Sequence, residues 1–357
     1  MKTLYILFIV LLVSSSVMSQ PCLPEGITFI TQAQIDNFQI NHPNCTEIEG
    51  DVVISGDYIT NLNGLSVLTS LGGWLYICNY NNDFLANLTG LDNLTSIEGG
   101  LYIEGYNVLT SLTGLEGLTS IGQEFAIFYN ASLASLTGLE NLTSIGAGLY
   151  IEGNAALTSL TGLEGLNSIG EDFHIGDNTS LTSLTGLGNL TSISGWFGIE
   201  GNAALTSLTG LDSIDAGSIT NLYICYNESL STCEVQSVCD YLANPNGTIE
   251  IHDNATACNG QAEVETACEN ASVDELNLSN RLFIYPNPSS TQITIETTTT
   301  PRKNTSLTIS NTNGQQLITQ PITEPQTEID ISHFPVGIYI VKVWNDKDVM
   351  VRKIIKQ

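Results

Sequence analysis

The 357 residues of this 38.3 kDa chain leave room for two or three domains, so length does not limit the fold. Nine basic residues stand against thirty-seven acidic ones, a formal net charge of −28, and residues 3–280 hold 31 carboxylates without one Lys or Arg. That surface repels phosphate backbones and anionic headgroups, which excludes a nucleic-acid partner and a polybasic membrane contact, while a mean hydropathy of +0.12 argues against disorder.

In chain order, Lys2, the apolar run Leu4–Val13 and the small residues Ser14–Ser19 predict a secretory signal over residues 1–19. Ten apolar residues are too few to span a bilayer, and no other run approaches eighteen, so no transmembrane helix is expected. Export permits disulfides. Cys22 and Cys45 flank residues 23–44, where they are expected to staple an N-terminal cap over residues 20–61. Cys233, Cys239, Cys258 and Cys268 are expected to close a second cap over residues 232–272, in a connectivity the spacing leaves open. No Cys-x2-Cys spacing or His pair accompanies them, so no metal site is read there.

Between the caps, over residues 62–231, lies a repeat of about seven coils. A Gly-Leu step recurs at Gly90, Gly114, Gly138, Gly162, Gly186 and Gly210, each 24 residues after the last. Leu88 to Leu208, Ile97 to Ile214 and Ile77 to Ile224 form aliphatic columns at the same period. Alternating triplets such as Leu101–Ile103 and Leu149–Ile151, separated by Gly, Asn and Ser, predict short strands. One such unit cannot bury its own apolar face, whereas stacked units share a core, which predicts a parallel β-solenoid with rungs about 4.8 Å apart. At that spacing Cys78 and Cys225, six coils apart, stand about 29 Å from each other and cannot pair. Asn130, Asn154, Asn178, Asn202 and Asn227 share one turn position and predict an internal ladder. The sequons at Asn93, Asn141 and Asn189 arise from the repeat consensus and carry little weight for glycosylation.

The caps carry their own signals. Gln32–Ile40 and Glu234–Leu242 have helical spacing, and Cys45–Ile54 reads C-x-x-I-x-G-x-V-x-I. With the Leu/Ile-rich coils, these features resemble the receptor L-domain, related in style to leucine-rich repeats. The resemblance covers roughly residues 22–268 and implies a right-handed β-helix.

After a linker at 273–281 the composition changes, and residues 282–357 carry eight basic and six acidic groups if the adjoining Arg281 is counted. Alternating segments predict the strands of a small antiparallel, immunoglobulin-like sandwich with a hairpin at Asn313-Gly314. The motifs YPNP (Tyr285, Pro286, Asn287, Pro288), NTNGQ with Gly314, PVGIYIVKV with Gly337 and Tyr339, and terminal KIIKQ with Lys353 are similar to the type IX secretion sorting domain of Bacteroidetes. That resemblance implies the type IX secretion machinery as a partner and export across the outer membrane. Removal of the tail and release or attachment at the surface would follow.

No catalytic constellation emerges. The four histidines stand in unrelated contexts, and Asp92, Glu116, Glu140, Glu164 and Asp212 form a uniform column rather than one distinct pair. Oxygen ligands at rung spacing also suit calcium, with a solvated acidic face as the plainer alternative; no other cofactor is expected. The expected function is therefore a secreted, non-catalytic binding or adhesion protein with a glycan or protein ligand. Its candidate face is the outward column Tyr76, Tyr102, Tyr150, His174 and Tyr223, beside Glu104, Glu152 and Glu200. A passive spacer is the alternative, and ice or ordered-polymer binding by Thr113, Thr137, Thr161, Thr185 and Thr209 is a third.

Overall fold

The computed structural model describes residues 21–79, 84–279, 282–297, 305–312, 314–344 and 349–357. The expected signal segment and Asn313 of the expected hairpin lie outside them. The chain divides into two compact units, Met1–Thr266 and Ala267–Gln357.

The first unit is a parallel β-solenoid of ten rungs. Its long sheet stacks Ile27–Phe29, Val52–Ile54, Leu75–Cys78, Leu101–Glu104, Phe125–Phe128, Leu149–Glu152, Phe173–Gly176, Phe197–Glu200, Leu222–Cys225 and Ile249–His252 in register. Repeat-equivalent residues pair throughout, as in Phe125↔Leu149 and Ile127↔Ile151. In most of these strands the first and third residues are buried and the second is half-buried, the alternation expected when one face packs on a core. A second sheet of eight two-residue strands, among them Ser96–Ile97, Ser120–Ile121 and Ser144–Ile145, runs along another side. Between the sheets the leucine columns close the core: Leu112, Leu115, Leu118 and Ile121 of one coil are 0–1% exposed, as are their equivalents Leu136, Leu139, Leu142 and Ile145 in the next.

Two polar devices let such narrow coils stack. Each ladder asparagine accepts the backbone N–H of the one a coil earlier, and its own Nδ2 donates to two carbonyls. Asn178 Oδ1 receives Asn154 N–H at 3.0 Å, while its Nδ2 reaches Ile151 O and Gly176 O at 2.8 Å. The five expected asparagines are joined by Asn254, and at the other end the backbone N–H of fully buried Tyr106 takes Asn130 Oδ1. The repeat glycine is fixed by backbone approach. Gly138 has φ +112°, and a Cβ there would run into the Leu112 carbonyl of the coil before.

Both ends are covered. Gln32–Asp36 and Phe38–Asn41 are short helices that bury Ile35 and Phe38, the first held by a Thr31–Gln34 capping box. At the other end, helix Gln236–Ala243 buries Val238, Tyr241 and Leu242, and Tyr241 donates its hydroxyl to Thr220 O at 2.9 Å. Cys22 pairs with Cys45 and Cys233 with Cys258, and Cys239 and Cys268 are also disulfide-bonded. Cys78 and Cys225 are free thiols, six rungs apart on the long sheet. A helix the sequence reading did not anticipate, Gln261–Ser279, occupies residues assigned there to the end of the cap and the linker.

The second unit packs two antiparallel sheets on one core. One is ordered Leu282–Tyr285, Gln292–Thr297, Gln326–Asp330, and the other Gln316–Pro321, Ser306–Asn311, Gly337–Trp344, Val349–Lys356. Ile293, Ile295 and Ile329 from the first meet Leu307, Ile309, Val341, Val343 and Ile354 from the second.

Candidate functional site

The register places the expected column as the sequence spacing requires: Tyr76, Tyr102, Ala126, Tyr150, His174, Gly198 and Tyr223 are successive partners across the long sheet. Glu104, Glu152 and Glu200 alternate beside it with Phe128 and Gly176. One expectation needs correction. The column is half-buried rather than exposed, because its rings lie along the sheet against each other and against glycines.

Two aromatic groups result. In the first, Trp74 stacks on Tyr76 with centroids 5.5 Å apart and planes 13° apart, and Tyr76 meets Tyr102 at 6.1 Å. The run continues through Tyr102–Phe128 at 5.5 Å and Phe128–Tyr129 at 6.3 Å, over three neighbouring strands. Carboxylates hold its edge: Tyr102 donates to Glu104 at 2.7 Å, and Tyr129 donates to Glu152 at 3.0 Å. The bond to Glu152 and the charge of that carboxylate raise the pKa of Tyr129. Tyr129 is 50% exposed and has φ +55°, a left-handed conformation at a position where three coils place Gly105, Gly153 and Gly201. A tyrosine there carries strain that glycine avoids.

The second group is His174, Trp196 and Tyr223. Trp196 lies 5.1 Å from His174 and meets Tyr223 nearly perpendicularly, at 5.3 Å and 87°. Burial lowers the pKa of His174, opposed by the charges of Glu152, Glu200 and Asp177, and its Nε2 is enclosed without a hydrogen-bond partner among the described residues. Tyr150, one rung away, donates to Asp172 Oδ2 at 3.2 Å. Burial, then the Asp172 charge and that bond, push its pKa up to about 12. Asp172, Trp196, Thr220, Asn221 and Tyr223 line a hollow of about 310 Å³.

Tyr223 and His174 were expected here, but Trp74, Trp196, Asp172 and Asn221 were not. They stand immediately before the strands, in the column Trp74, Gly100, Glu124, Gly148, Asp172, Trp196, Asn221. The signal was present as a departure: two tryptophans where other coils carry glycine, an acid or asparagine.

The other columns are occupied structurally. Asp92, Glu116, Glu140, Glu164 and Asp212 each accept the N–H of the glycine two residues earlier, at 2.7–3.3 Å. Thr113, Thr137, Thr161, Thr185 and Thr209 each pair with the hydroxyl of the serine two residues earlier. The sequon amides of Asn93, Asn141 and Asn189 donate to Ser66, Glu116 and Glu164 carbonyls.

In the second unit, Tyr285, Pro286, Asn287 and Pro288 lie together on the surface. Asn287 clamps the terminal strand, donating to Lys353 O at 3.0 Å and accepting Ile355 N–H at 2.8 Å. Tyr285 donates to Glu296 at 2.6 Å and Tyr339 to Pro335 O at 2.6 Å. Gly314 takes φ +79° and donates its N–H to Asn311 O, Gly337 opens its strand half-buried, and the Lys353 side chain is exposed. Residues 283–357 match the secretion system C-terminal sorting domain. The chain is a secreted or cell-surface protein. Its sorting domain implies engagement with the type IX secretion machinery, and no helix among the described residues is long and apolar enough to cross a membrane. Comparison with curated proteins finds no match.

Proposed function

We propose that the solenoid is a non-catalytic binding module which, delivered by the sorting domain, holds a glycan or protein ligand on the outer face of its long sheet. The observation that carries this reading is the aromatic run from Trp74 to Tyr129, with its strained, half-exposed tyrosine and carboxylates on the ring hydroxyls. Flat rings stack on apolar ligand faces, and carboxylates accept hydroxyl or amide hydrogen bonds. The resemblance of the Cys-bounded coils to receptor L-domains agrees with a recognition role. The test is capture by the purified full chain on glycan and protein arrays. Replacing Tyr102 and Tyr150 together by Ser is expected to abolish capture while the melting temperature moves by a few degrees. A folded wild-type chain that captures nothing on either array supports the passive-spacer reading instead.

A further inference from the structure

The hollow beside Trp196 has a cause in the repeat. Four coils place tyrosine in the central column, at Tyr76, Tyr102, Tyr150 and Tyr223, but the coil of Trp196 has Gly198. The indole folds over that glycine, where an added Cβ would meet its ring carbons at 2.7–3.3 Å. The other tryptophan shows what the absent tyrosine changes. Trp74 and Trp196 are seated alike, each donating its backbone N–H to an aspartate of the preceding coil, Asp51 at 2.8 Å and Asp172 at 2.9 Å. Trp74, however, has Tyr76 two residues on and is closed by parallel stacking, whereas Trp196 has Gly198 there and meets Tyr223 edge to face beside the hollow.

The polar lining is fixed in place. Asp172 is held by Trp196 N–H and the Tyr150 hydroxyl, and Asn221 Oδ1 accepts Thr248 N–H at 2.8 Å. The Trp196 indole N–H and the Tyr223 hydroxyl have no hydrogen-bond partner among the described residues, and Asn221 Nδ2 makes only a 3.4 Å contact to Thr220 Oγ1. The lining residues thus carry two N–H donors, a tyrosine hydroxyl that both donates and accepts, one carboxylate and two rings nearly at right angles. A cationic side chain brings donors only, so the Trp196 indole N–H and Asn221 Nδ2 would find no acceptor in it. An anionic ligand meets Asp172 and a solenoid without a single Lys or Arg. A hydroxyl both donates and accepts, and a pyranose ring adds an apolar C–H face for stacking.

Resting on the binding reading above, we infer that the Trp196–Tyr223 hollow is a subsite for one ring of a neutral saccharide. The experiment titrates the full chain by calorimetry with neutral hexasaccharides of glucose, mannose, galactose and xylose, and with hexagalacturonate and hexa-arginine as charged controls. At least one neutral oligosaccharide is expected to bind and neither control to compete. Gly198→Tyr, which installs the residue four coils already carry, is expected to weaken that binding at least tenfold, and Trp196→Gly, the residue of Gly100 and Gly148 in the same column, to do the same. Gly188→Ala, where an added Cβ meets nothing within 4 Å, is expected to leave it within about twofold. Failure of every neutral probe, competition by hexa-arginine, or unchanged affinity in folded Gly198→Tyr each overturns the subsite. An array ligand that survives Gly198→Tyr but is lost with Tyr102 and Tyr150 overturns the subsite alone and keeps the binding face.

Discussion

Asn154 and Asn178, one coil apart, are joined twice: Asn178 Oδ1 accepts the backbone N–H of Asn154 at 3.0 Å and its Nδ2 at 3.3 Å. Both side chains are fully buried, so no water can replace either bond. Asn178→Ala would orphan that N–H and take one donor each from the Ile151 and Gly176 carbonyls, the second of which keeps the Gly153 N–H at 3.1 Å. A loss of about 1–3 kcal/mol is expected from the unsatisfied buried N–H. Asn178→Asp should be no better, since a carboxylate has no N–H for the carbonyls and brings a buried charge. Denaturant titration of both variants checks this, and a loss below about 1 kcal/mol would show that the ladder is incidental.

Two glycines give a sharper contrast. Gly138→Ala forces a side chain into φ +112° and against Leu112 backbone, whereas a Cβ at Gly188 meets nothing within 4 Å. Gly138→Ala is expected to destabilise by about 1–3 kcal/mol and Gly188→Ala to stay within about 0.5 kcal/mol. Equal stabilities would refute the close approach of successive coils. Paired melting curves in one buffer suffice.

This contrast also shows why some of the fold was legible and some was not. A 24-residue period fixes which residues share a column, so the Asn ladder, the Tyr column and the separation of Cys78 from Cys225 follow from spacing. Strand triplets such as Leu101–Ile103 announce themselves by alternation. The second sheet does not: Thr119-Ser120-Ile121 reads as a turn, and its two-residue strand exists because the same residues pair with the next coil at Ser144 and Ile145. Helix Gln261–Ser279 hides for the opposite reason, since its residues are good helix formers without an apolar stripe. At the candidate site, Tyr223 was legible from alternation, but Trp196 and Asn221 precede the strand and repeat no consensus. Whether a ring stands up or lies down depends on whether its neighbour is glycine, as at Gly198, and only packing reveals that.

The two free thiols are expected to be inert. Burial first, then Glu200, pushes the Cys225 thiol up to about 11, and burial with Glu104 raises that of Cys78. Cys225 also donates to Glu250 O at 3.5 Å. At neutral pH both remain protonated, and the thiolate is the reactive form. Ellman's reagent should therefore titrate two thiols only after denaturation under non-reducing conditions. Rapid labelling of the native chain would contradict the packing around these strands.

His174 is expected to make the solenoid sensitive to mild acid. Its folded pKa lies below the ordinary 6.5 because burial disfavours the imidazolium, outweighing the attraction of Glu152, Glu200 and Asp177. The unfolded chain then binds the extra proton first as pH falls through about 6.5, so stability drops with pH until the folded-state value is reached. Comparing denaturation midpoints at about pH 7.5 and about pH 5.5 in wild type and His174→Tyr isolates this contribution from the carboxylates. The variant should lose less stability on acidification. An equal loss would mean the enclosed imidazole takes its proton without cost.

The sorting tail is predicted to act through a surface that Asn287 organises. Its amide bonds Lys353 O and Ile355 N–H, tying the exposed Tyr285–Pro288 segment to the terminal strand. Deleting residues 283–357 should leave the chain in the periplasm with its disulfides formed, because those cysteines all precede the deletion. Asn287→Ala should reduce display without unfolding the tail core of Ile293, Ile309, Val341 and Ile354, which it does not join. Immunoblots of periplasm, surface and medium would follow both variants. Intact mass spectrometry of the displayed wild type is expected to find a product that ends before residue 283. Equal display of the deletion variant would overturn the sorting role. Normal display of Asn287→Ala would instead mean that recognition does not depend on how the YPNP segment is held against the terminal strand.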